Sequence, residues 1–208
     1  MNKKYWNKYY NEDEVTERPS DFAKFCLNNY KIEYGSIFDI GCGNGRDTFF
    51  FLKNSIQSIG IDQSDIVIEG NKEKSSKLGL DSSFIKGDFS RIDFDSICDG
   101  PYSIYSRFTL HAINYKEEDE FFKYLLTSIN LKYLFIEVRS IRDSLYGEGK
   151  KVGLHEFVTS HYRRFIDPKV LKSKIIKSFN IKYFEESQNF AKTKTEDPWL
   201  IRIIAKRL

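Results

Sequence analysis

The stretch that most constrains this chain is an apolar run that ends in glycines at alternate positions. Residues 37–40 read Ile-Phe-Asp-Ile, which is long enough for one buried strand, and Gly41, Gly43 and Gly45 follow directly. The next residues, 47–53, are compatible with a helix. A strand, a glycine turn and a helix form the junction at which α/β proteins bind nucleotides. Glycine lets the backbone approach the ligand, and the start of the helix offers free N–H groups.

Two carboxylates and one arginine indicate which ligand this turn would take. A dinucleotide site needs G-x-G-x-x-G, but the position of the third glycine is occupied by Arg46. Asp39, just before the turn, suits a ligand with a cationic amine and would repel a pyrophosphate. Asp62 follows a second predicted strand, 57–61, at the spacing of about twenty residues from Gly41 at which a carboxylate reaches ribose hydroxyls.

This combination resembles motif I of the class I S-adenosylmethionine (SAM) methyltransferases. The resemblance implies SAM as the cofactor and S-adenosyl-L-homocysteine as its product. Elsewhere, short apolar runs and helical patterns alternate along the chain, which favours a parallel sheet with helices on both faces. Further strands are predicted at 83–86, 102–106, 133–138, 181–184 and 199–205, and helices at 21–29, 66–78, 117–129 and 167–179.

The fold class that follows is α/β. The resemblance implies a Rossmann-like, seven-stranded sheet in the order 3-2-1-4-5-7-6 with the last strand antiparallel. Ser20 is predicted to cap the first helix, Gly79 to end the 66–78 helix and Pro168 to open the last one.

A single domain is predicted over residues 1–208, because 208 residues can form one full core and no linker or repeat interrupts them. Residues 1–30 form an N-terminal aromatic cap and helix. The aromatic residues of this segment either pack on the domain edge or cover the cofactor as a lid: Tyr5, Trp6, Tyr9 and Tyr10. The regular pattern lapses over 139–166, which is predicted to be an acceptor-binding insertion or lid.

The resemblance places the cofactor against residues at strand ends and in the N-terminal segment. Asp88 resembles the acidic residue that meets the adenine amino group, with Phe89 beside the ring, although a surface turn would explain the same Gly-Asp pair. The full set of cofactor candidates is Tyr5, Trp6, Arg18, Asp39, Gly41, Cys42, Gly43, Gly45, Arg46, Asp62, Gln63, Asp88, Phe89 and Ser106.

The acceptor candidates are histidines, one carboxylate and arginines near and after the fourth and fifth strands. A hydroxyl acceptor would benefit from a base, whereas an anionic acceptor needs cations, and arginine holds planar anions bidentately. The candidate bases are His111, His155, His161 and Glu137, and the substrate-binding candidates are Arg107, Arg139, Tyr162, Arg163 and Arg164.

Each of these acceptor candidates also has a purely structural interpretation. His111 follows Leu110 and could simply line the pocket. Glu137 could pair with Arg139. Tyr162 could pack while the neighbouring arginines pair with Glu156 or Asp167.

Composition narrows the class further. The net charge of +3 is small and the basic residues are spread along the chain, which disfavours nucleic acid as a partner. Cys26, Cys42 and Cys98 are far apart, so neither a disulfide framework nor a zinc site is expected, and no metal is assumed. Without an apolar leader or a membrane-length run, a cytoplasmic monomer or homodimer is expected.

The chain as a whole resembles small bacterial methyltransferases of capsule and surface-polysaccharide pathways. This resemblance implies methyl transfer, with O-methylation favoured, to a small anionic acceptor that is phosphorylated or linked to a nucleotide or sugar. A nucleic-acid methyltransferase is one alternative, although Ser106-Arg107-Phe108 stands where such enzymes carry [D/N/S]-P-P-[Y/F/W]. The others are a non-catalytic SAM-binding protein and a nicotinamide oxidoreductase, which Arg46 and Asp39 disfavour.

Overall fold

The computed structural model describes residues 5–6, 10, 16–30, 35–80 and 83–208. Tyr9, part of the predicted aromatic segment, lies outside the described residues. In this part of the chain the longer helices are α1 (Asp21–Asn29), α2 (Arg46–Lys53), α3 (Asp65–Leu78), α4 (Tyr115–Thr127) and α5 (Pro168–Ile175). The strands are β1 (Ser36–Ile40), β2 (Ser58–Asp62), β3 (Ser83–Lys86), β4 (Tyr102–Arg107), β5 (Leu131–Arg139), β6 (Lys150–Gly153), β7 (Glu156–Val158), β8 (Tyr162–Arg164), β9 (Phe179–Ser187) and β10 (Leu200–Arg207).

Seven of these strands form one mixed sheet in the order β3-β2-β1-β4-β5-β10-β9. The first five strands of this order run parallel to one another, and β10 runs antiparallel to both β5 and β9. This confirms the predicted sheet order and the antiparallel last strand. The strand order reverses between β1 and β4, and that is where an open α/β sheet forms a crevice at the carboxyl ends of its strands.

Helices cover both faces of this sheet because successive strand residues point to opposite sides. Phe38 and Ile104 belong to a core that includes side chains of α4 and α5. Their chain neighbours Ile37 and Tyr105 belong to a second core, which includes side chains of α1 and α2. The central strands are therefore buried on both faces and hold the strand ends in fixed positions.

Local capping signals set most of the helix boundaries. The Ser20 hydroxyl accepts the Ala23 N–H at the start of α1, and Gly79 ends α3 in the left-handed conformation, both as predicted. Pro168 opens α5, also as predicted. However, α5 ends at Ile175 and not near Phe179, because Phe179 already pairs with β10 as the first residue of β9.

The prediction that residues 139–166 are irregular is wrong in one respect, because β6, β7 and β8 form a small antiparallel sheet within them. Its strands have only three or four residues, and in β7 only Phe157 is buried. The alternation of apolar and polar residues that marks a strand cannot be recognised in only three or four residues. Within the described ranges, no helix is both long and apolar enough to cross a membrane.

Candidate functional site

A cavity of about 620 Å³ opens at the carboxyl ends of β1, β2, β4 and β5, next to the point where the strand order reverses. Its wall includes Tyr5, Trp6 and Tyr10 from the N-terminal segment. The rest of the lining comes from the strand ends, β8 and the β9–β10 loop: Thr16, Asp39, Gly41, Cys42, Asn44, Arg46, Asp47, Asp62, Arg107, Phe108, Thr109, His111, Ala112, Arg139, His161, Arg163, Ala191, Thr193, Glu196 and Pro198.

The glycine turn after β1 forms a backbone cradle that side chains would fill. Gly41 has φ +68°, and a Cβ there would lie 2.7 Å from the Thr109 hydroxyl oxygen. That hydroxyl donates to the Ile40 carbonyl at 2.7 Å and so ties the end of β1 to the segment after β4. Gly43 has φ +53°, and its Cβ would lie 2.1 Å from the Tyr10 hydroxyl oxygen. Only glycine allows this close approach at positive φ.

Asp62 holds this turn in shape from the end of β2. One carboxylate oxygen accepts the Gly43 N–H at 3.1 Å, and the other accepts the Ser64 N–H at 2.9 Å. Burial raises the pKa of the Asp62 carboxyl, although the backbone hydrogen bonds oppose that shift. The carboxylate lines the cavity, and its placement is compatible with the predicted contact to ribose hydroxyls.

Asp39 is the most buried carboxylate of the cavity wall. It accepts a hydrogen bond from the Thr48 hydroxyl at 2.6 Å. Burial and, next, the negative charge of Asp47 raise the pKa of the Asp39 carboxyl to about 7. A cationic ligand beside Asp39 would favour its charged form, so the residues of the turn fit the amine of SAM.

Replacing Asp39 with asparagine should remove a pH dependence of both stability and SAM binding. The folded-state pKa lies above the unfolded value, so folding binds a proton and stability falls as the pH rises from about 4 to about 7. An asparagine side chain cannot ionise, so thermal unfolding of the ligand-free variant should lack that decline. Calorimetry should show SAM affinity that rises through about pH 7 in the natural protein but is weak and flat in the variant.

The exposed Asp21 of α1 offers a matched control for the Asp39 variant. Asp21→Asn removes the same charge away from the cavity and should leave the SAM titration unchanged. Equal pH profiles for Asp39→Asn and the natural protein would contradict the assigned role of Asp39.

The other end of the cavity is built on a buried ion-pair network. Arg107 donates to one oxygen of Glu137 at 2.9 Å, and Arg202 donates to the other oxygen at 2.6 Å. Phe108 follows with φ +57°, a strained value for a non-glycine residue, and its ring lies 4.2 Å from the Arg107 guanidinium. The Glu137 carboxylate thus pairs with two arginines at once and links them. It does not line the cavity, so the geometry gives its predicted role as a base no support.

Two further arginines line the cavity, and they differ in whether a carboxylate pairs with them. Arg139 donates to Asp143 at 2.9 Å and also forms an ion pair with Glu196 of the β9–β10 loop. Arg163 donates to the Thr159 hydroxyl at 3.3 Å. Within the described part of the chain, no carboxylate lies at ion-pair distance from Arg163. Burial and the charge of Arg139 lower the pKa of Arg163.

Two histidines complete this end, and both are neutral at neutral pH. His111 is buried, and its Nδ1 has no hydrogen-bond partner among the described residues. Burial and then the charge of Arg139 lower the pKa of His111 well below its usual value. The ring of His161 stacks on Tyr5 with centroids 4.2 Å apart. Burial and then the charge of Arg163 lower the pKa of His161 to about 4.

The other candidates of β8 and its neighbourhood lie outside the cavity. Arg164 is 2% exposed, forms an ion pair with Glu118, and donates to the backbone carbonyls of Ile113 at 2.9 Å and Leu110 at 3.1 Å. Tyr162 lies on the same side of β8 as Arg164, because side chains alternate along a strand. His155 contacts the Tyr146 hydroxyl at 2.8 Å instead. None of these three side chains lines the cavity, so the geometry gives their predicted contacts to the acceptor no support.

Several predicted cofactor residues also lie outside the lining. Asp88 accepts hydrogen bonds from the Ser90 N–H and hydroxyl, and Phe89 is buried against Phe121. They cap a short helix and fill the core, which are local structural roles. The other predicted cofactor residues that lie outside the lining are Gln63, Gly43, Gly45, the exposed Arg18 and the buried Ser106.

The residues that sequence reasoning missed come mainly from the β9–β10 loop. Glu196, Thr193, Ala191 and Pro198 line the cavity. They carry no motif, and their place depends on the antiparallel return of the chain. Among the described residues, no group of three or more His, Cys, Asp or Glu side chains could hold a metal ion.

Comparison with known proteins finds similarity to methyltransferases. Residues 33–119 match the family model Methyltransf_31, described as a methyltransferase domain, which covers less than half of the chain and includes the glycine turn and Asp62. The structure resembles a SAM-dependent methyltransferase from Methanosarcina mazei, with TM-score 0.73, 21% identity, and coverage of 88% of this chain and 96% of that one. It also resembles magnesium protoporphyrin IX methyltransferase from Synechocystis PCC 6803 with bound SAM, with TM-score 0.63, 12% identity, and coverage of 89% and 76%.

At these sequence identities, the similarity to the solved structures shows a shared fold and nothing further. Two curated relatives are a sterol 24-C-methyltransferase from Debaryomyces hansenii, 30% identical over 52% of this chain and 29% of the relative, and a carboxy-S-adenosyl-L-methionine synthase from Nautilia profundicola, 26% identical over 67% and 60%. The matches span less than two thirds of either relative. Together the comparisons show that part of the sequence, and the fold as a whole, are similar to SAM-dependent methyltransferases.

Proposed function

We propose that this protein transfers a methyl group from SAM to an oxygen atom of a small anionic acceptor. The observation that carries the proposal is one cavity with two chemically different ends. The first end holds the glycine turn with Asp39 and Asp62. The second holds Arg163 and two neutral histidines.

The cofactor end would bind SAM by complementing its charges and its adenosine hydroxyls. Asp39 would face the cationic amine, Asp62 would accept from the ribose hydroxyls, and the turn at Gly41 would admit the ligand close to the backbone. When bound, SAM supplies an electrophilic methyl group on a positively charged sulfur. The chain then has to hold the acceptor oxygen in line and exclude water, which can be worth roughly 7–11 kcal/mol.

The acceptor end would orient the anion and remove a proton where the acceptor is a hydroxyl. His111 lines the cavity and its lowered pKa keeps the ring neutral, so His111 would serve as that base. Burial lowers the pKa of His111 most, and the arginine charges that lower it further are those an anionic acceptor would compensate. Acceptor binding therefore raises the basicity of His111 when a base is needed.

Replacing Arg163 with alanine should weaken acceptor use without weakening SAM binding. Arg163 lines the cavity and has no carboxylate partner among the described residues, so its guanidinium can bind the anion. Losing a charge-assisted hydrogen bond should lower kcat/KM roughly tenfold to a hundredfold, mostly through KM. Methyl-transfer kinetics and SAM calorimetry measure the two effects separately.

Arg142 provides a matched arginine outside the cavity for this experiment. It is exposed and its guanidinium lies 3.7 Å from the centre of the Trp199 ring. Arg142→Ala should leave acceptor kinetics unchanged, whereas Arg163→Lys should retain part of the activity. An unchanged KM in Arg163→Ala would mean that Arg163 is structural.

Transfer of a labelled methyl group from SAM to two acceptor pools tests the proposed function directly. One pool holds carboxylated, phosphorylated and nucleotide-linked small molecules, and the other holds total RNA and DNA. Label in the first pool supports the proposal, and mass spectrometry then names the acceptor. Label only in the second pool would identify a nucleic-acid methyltransferase, and SAM binding without label in either would identify a SAM-binding protein without transferase activity.

The biological setting that we propose is bacterial capsule or surface-polysaccharide synthesis. Its support is the sequence resemblance, together with a cavity whose cationic end suits the acidic sugars and sugar phosphates of such pathways. The 139–166 segment fits a role as an acceptor-binding insertion, because Arg139, His161 and Arg163 reach the cavity from it.

A further inference from the structure

We propose that Asp47 is a positioning residue for methyl transfer, because its carboxylate fixes the place at which the N-terminal segment joins the cofactor end of the cavity. This segment carries the aromatic wall of the cavity, which we define as Tyr5, Trp6 and Tyr10. The inference rests on the proposed function, since it assumes that SAM binds beside the glycine turn. It gives a role to a cavity carboxylate that the cofactor contacts proposed above do not use.

Three hydrogen bonds occupy the Asp47 carboxylate. One oxygen accepts the Ser20 N–H at 2.7 Å. The other oxygen accepts the hydroxyls of Ser20 and Tyr105, each at 2.8 Å. All three residues are buried, and hydrogen bonds to a buried charged group are stronger than those between neutral groups. One carboxylate therefore joins the start of α1, the start of α2 and β4.

A second contact joins the same N-terminal stretch to the glycine turn. The Asn44 side-chain amide donates to the Thr16 carbonyl at 2.9 Å, and both residues line the cavity. Residues 16–20 are therefore held by the glycine turn at one end and by α2 at the other. The ion pair of Glu17 with Lys74 adds little to this attachment, because Glu17 is exposed.

The aromatic wall precedes this attached stretch and contacts both ends of the cavity. The Tyr10 hydroxyl lies beside Gly43 of the turn, and the Tyr5 ring stacks on the ring of His161. A fixed attachment shortens the chain between the wall and the rest of the protein, which raises the effective concentration of these rings at the cavity. Asp47 thus favours the arrangement in which the wall encloses the bound cofactor and excludes water.

Replacing Ser20 with alanine tests this attachment without changing any charge in the cavity. The change removes the hydroxyl that donates to Asp47 and leaves the carboxylate in place. In a Trp199→Phe background, Trp6 is the only tryptophan, so acrylamide quenching of its fluorescence reports how exposed the aromatic wall is. We expect Ser20→Ala to give a steeper quenching slope and about tenfold weaker SAM binding by calorimetry.

Asp167→Ala is the matched control, because Ser20 also caps α1. Asp167 caps α5 and lies outside the cavity lining, so its replacement removes a helix cap without touching the aromatic wall. It should change neither the Trp6 quenching nor SAM binding. Asp47→Asn is the second test variant and should act in the same direction as Ser20→Ala, and circular dichroism checks that each variant is folded.

The effects on the aromatic wall and on SAM binding have to occur together. The inference is overturned if Ser20→Ala and Asp47→Asn leave both unchanged, if either effect occurs without the other, or if Asp167→Ala has the same effects. Failure of the proposed function gives a different result. The background protein would then bind no SAM or transfer no labelled methyl group, whatever the variants do to the quenching of Trp6.

Discussion

Arg164→Ala should lower the free energy of unfolding by about 3–5 kcal/mol, the range measured when one partner of a buried ion pair is removed. The Arg164 guanidinium binds Glu118, the backbone carbonyls of Ile113 and Leu110, and lies 4.4 Å from the centre of the Tyr115 ring. After its removal, the buried Glu118 keeps only Lys174 of these two ion-pair partners. The two carbonyl oxygens lose their hydrogen-bond donor. Urea unfolding followed by circular dichroism measures the loss.

The neighbouring Arg163 is a natural control for this prediction. Its side chain is half-buried, has no carboxylate partner among the described residues and lies on the opposite face of β8. Arg163→Ala should cost less than about 1 kcal/mol of stability. Equal losses in the two variants would show that Arg164 does not act through the buried ion pair.

Asp62→Ala should weaken SAM binding at least about a hundredfold, since two charge-assisted hydrogen bonds to hydroxyls are each worth roughly 1.5–3 kcal/mol. The Asp62 carboxylate also holds the Gly43 and Ser64 N–H groups, so its loss loosens the cradle as well. Isothermal titration calorimetry with SAM gives the affinity, and circular dichroism checks that the fold survives.

Asp65 offers the corresponding control three residues later. Its carboxylate forms an ion pair with Lys86 on the surface and does not line the cavity. Asp65→Ala should leave SAM affinity within about twofold, as expected of a surface substitution away from the site. Retained micromolar binding in Asp62→Ala would refute the cofactor assignment at this strand end.

The positions of the glycine turn and of its two carboxylates could be predicted from the sequence because their signals are local. Gly41 and Gly43 have positive φ, and Asp39 and Asp62 lie at the ends of adjacent parallel strands, so one short motif and one spacing sufficed. The alternation of strands and helices predicted the parallel α/β sheet, and the resemblance to the methyltransferases implied its strand order. Boundaries shifted by a few residues where a strand began early, as at Phe179.

The acceptor end could not be predicted in the same way because its chemistry depends on distant partners. Arg164 pairs with Glu118, 46 residues away, and Arg139 with Glu196, 57 residues away. In the sequence, Arg163 and Arg164 are equivalent neighbours. In the structure, one belongs to the cavity and the other to the core, because alternate residues of β8 face opposite sides.

The sequence by itself therefore determined the α/β sheet and the turn that would hold the cofactor, since strand patterns and glycine turns are properties of neighbouring residues. Only the tertiary structure decided which arginine lines the cavity, which histidines have a lowered pKa, and that Glu196 reaches the cavity. Charge balance and burial are set by groups that meet only after the chain has folded.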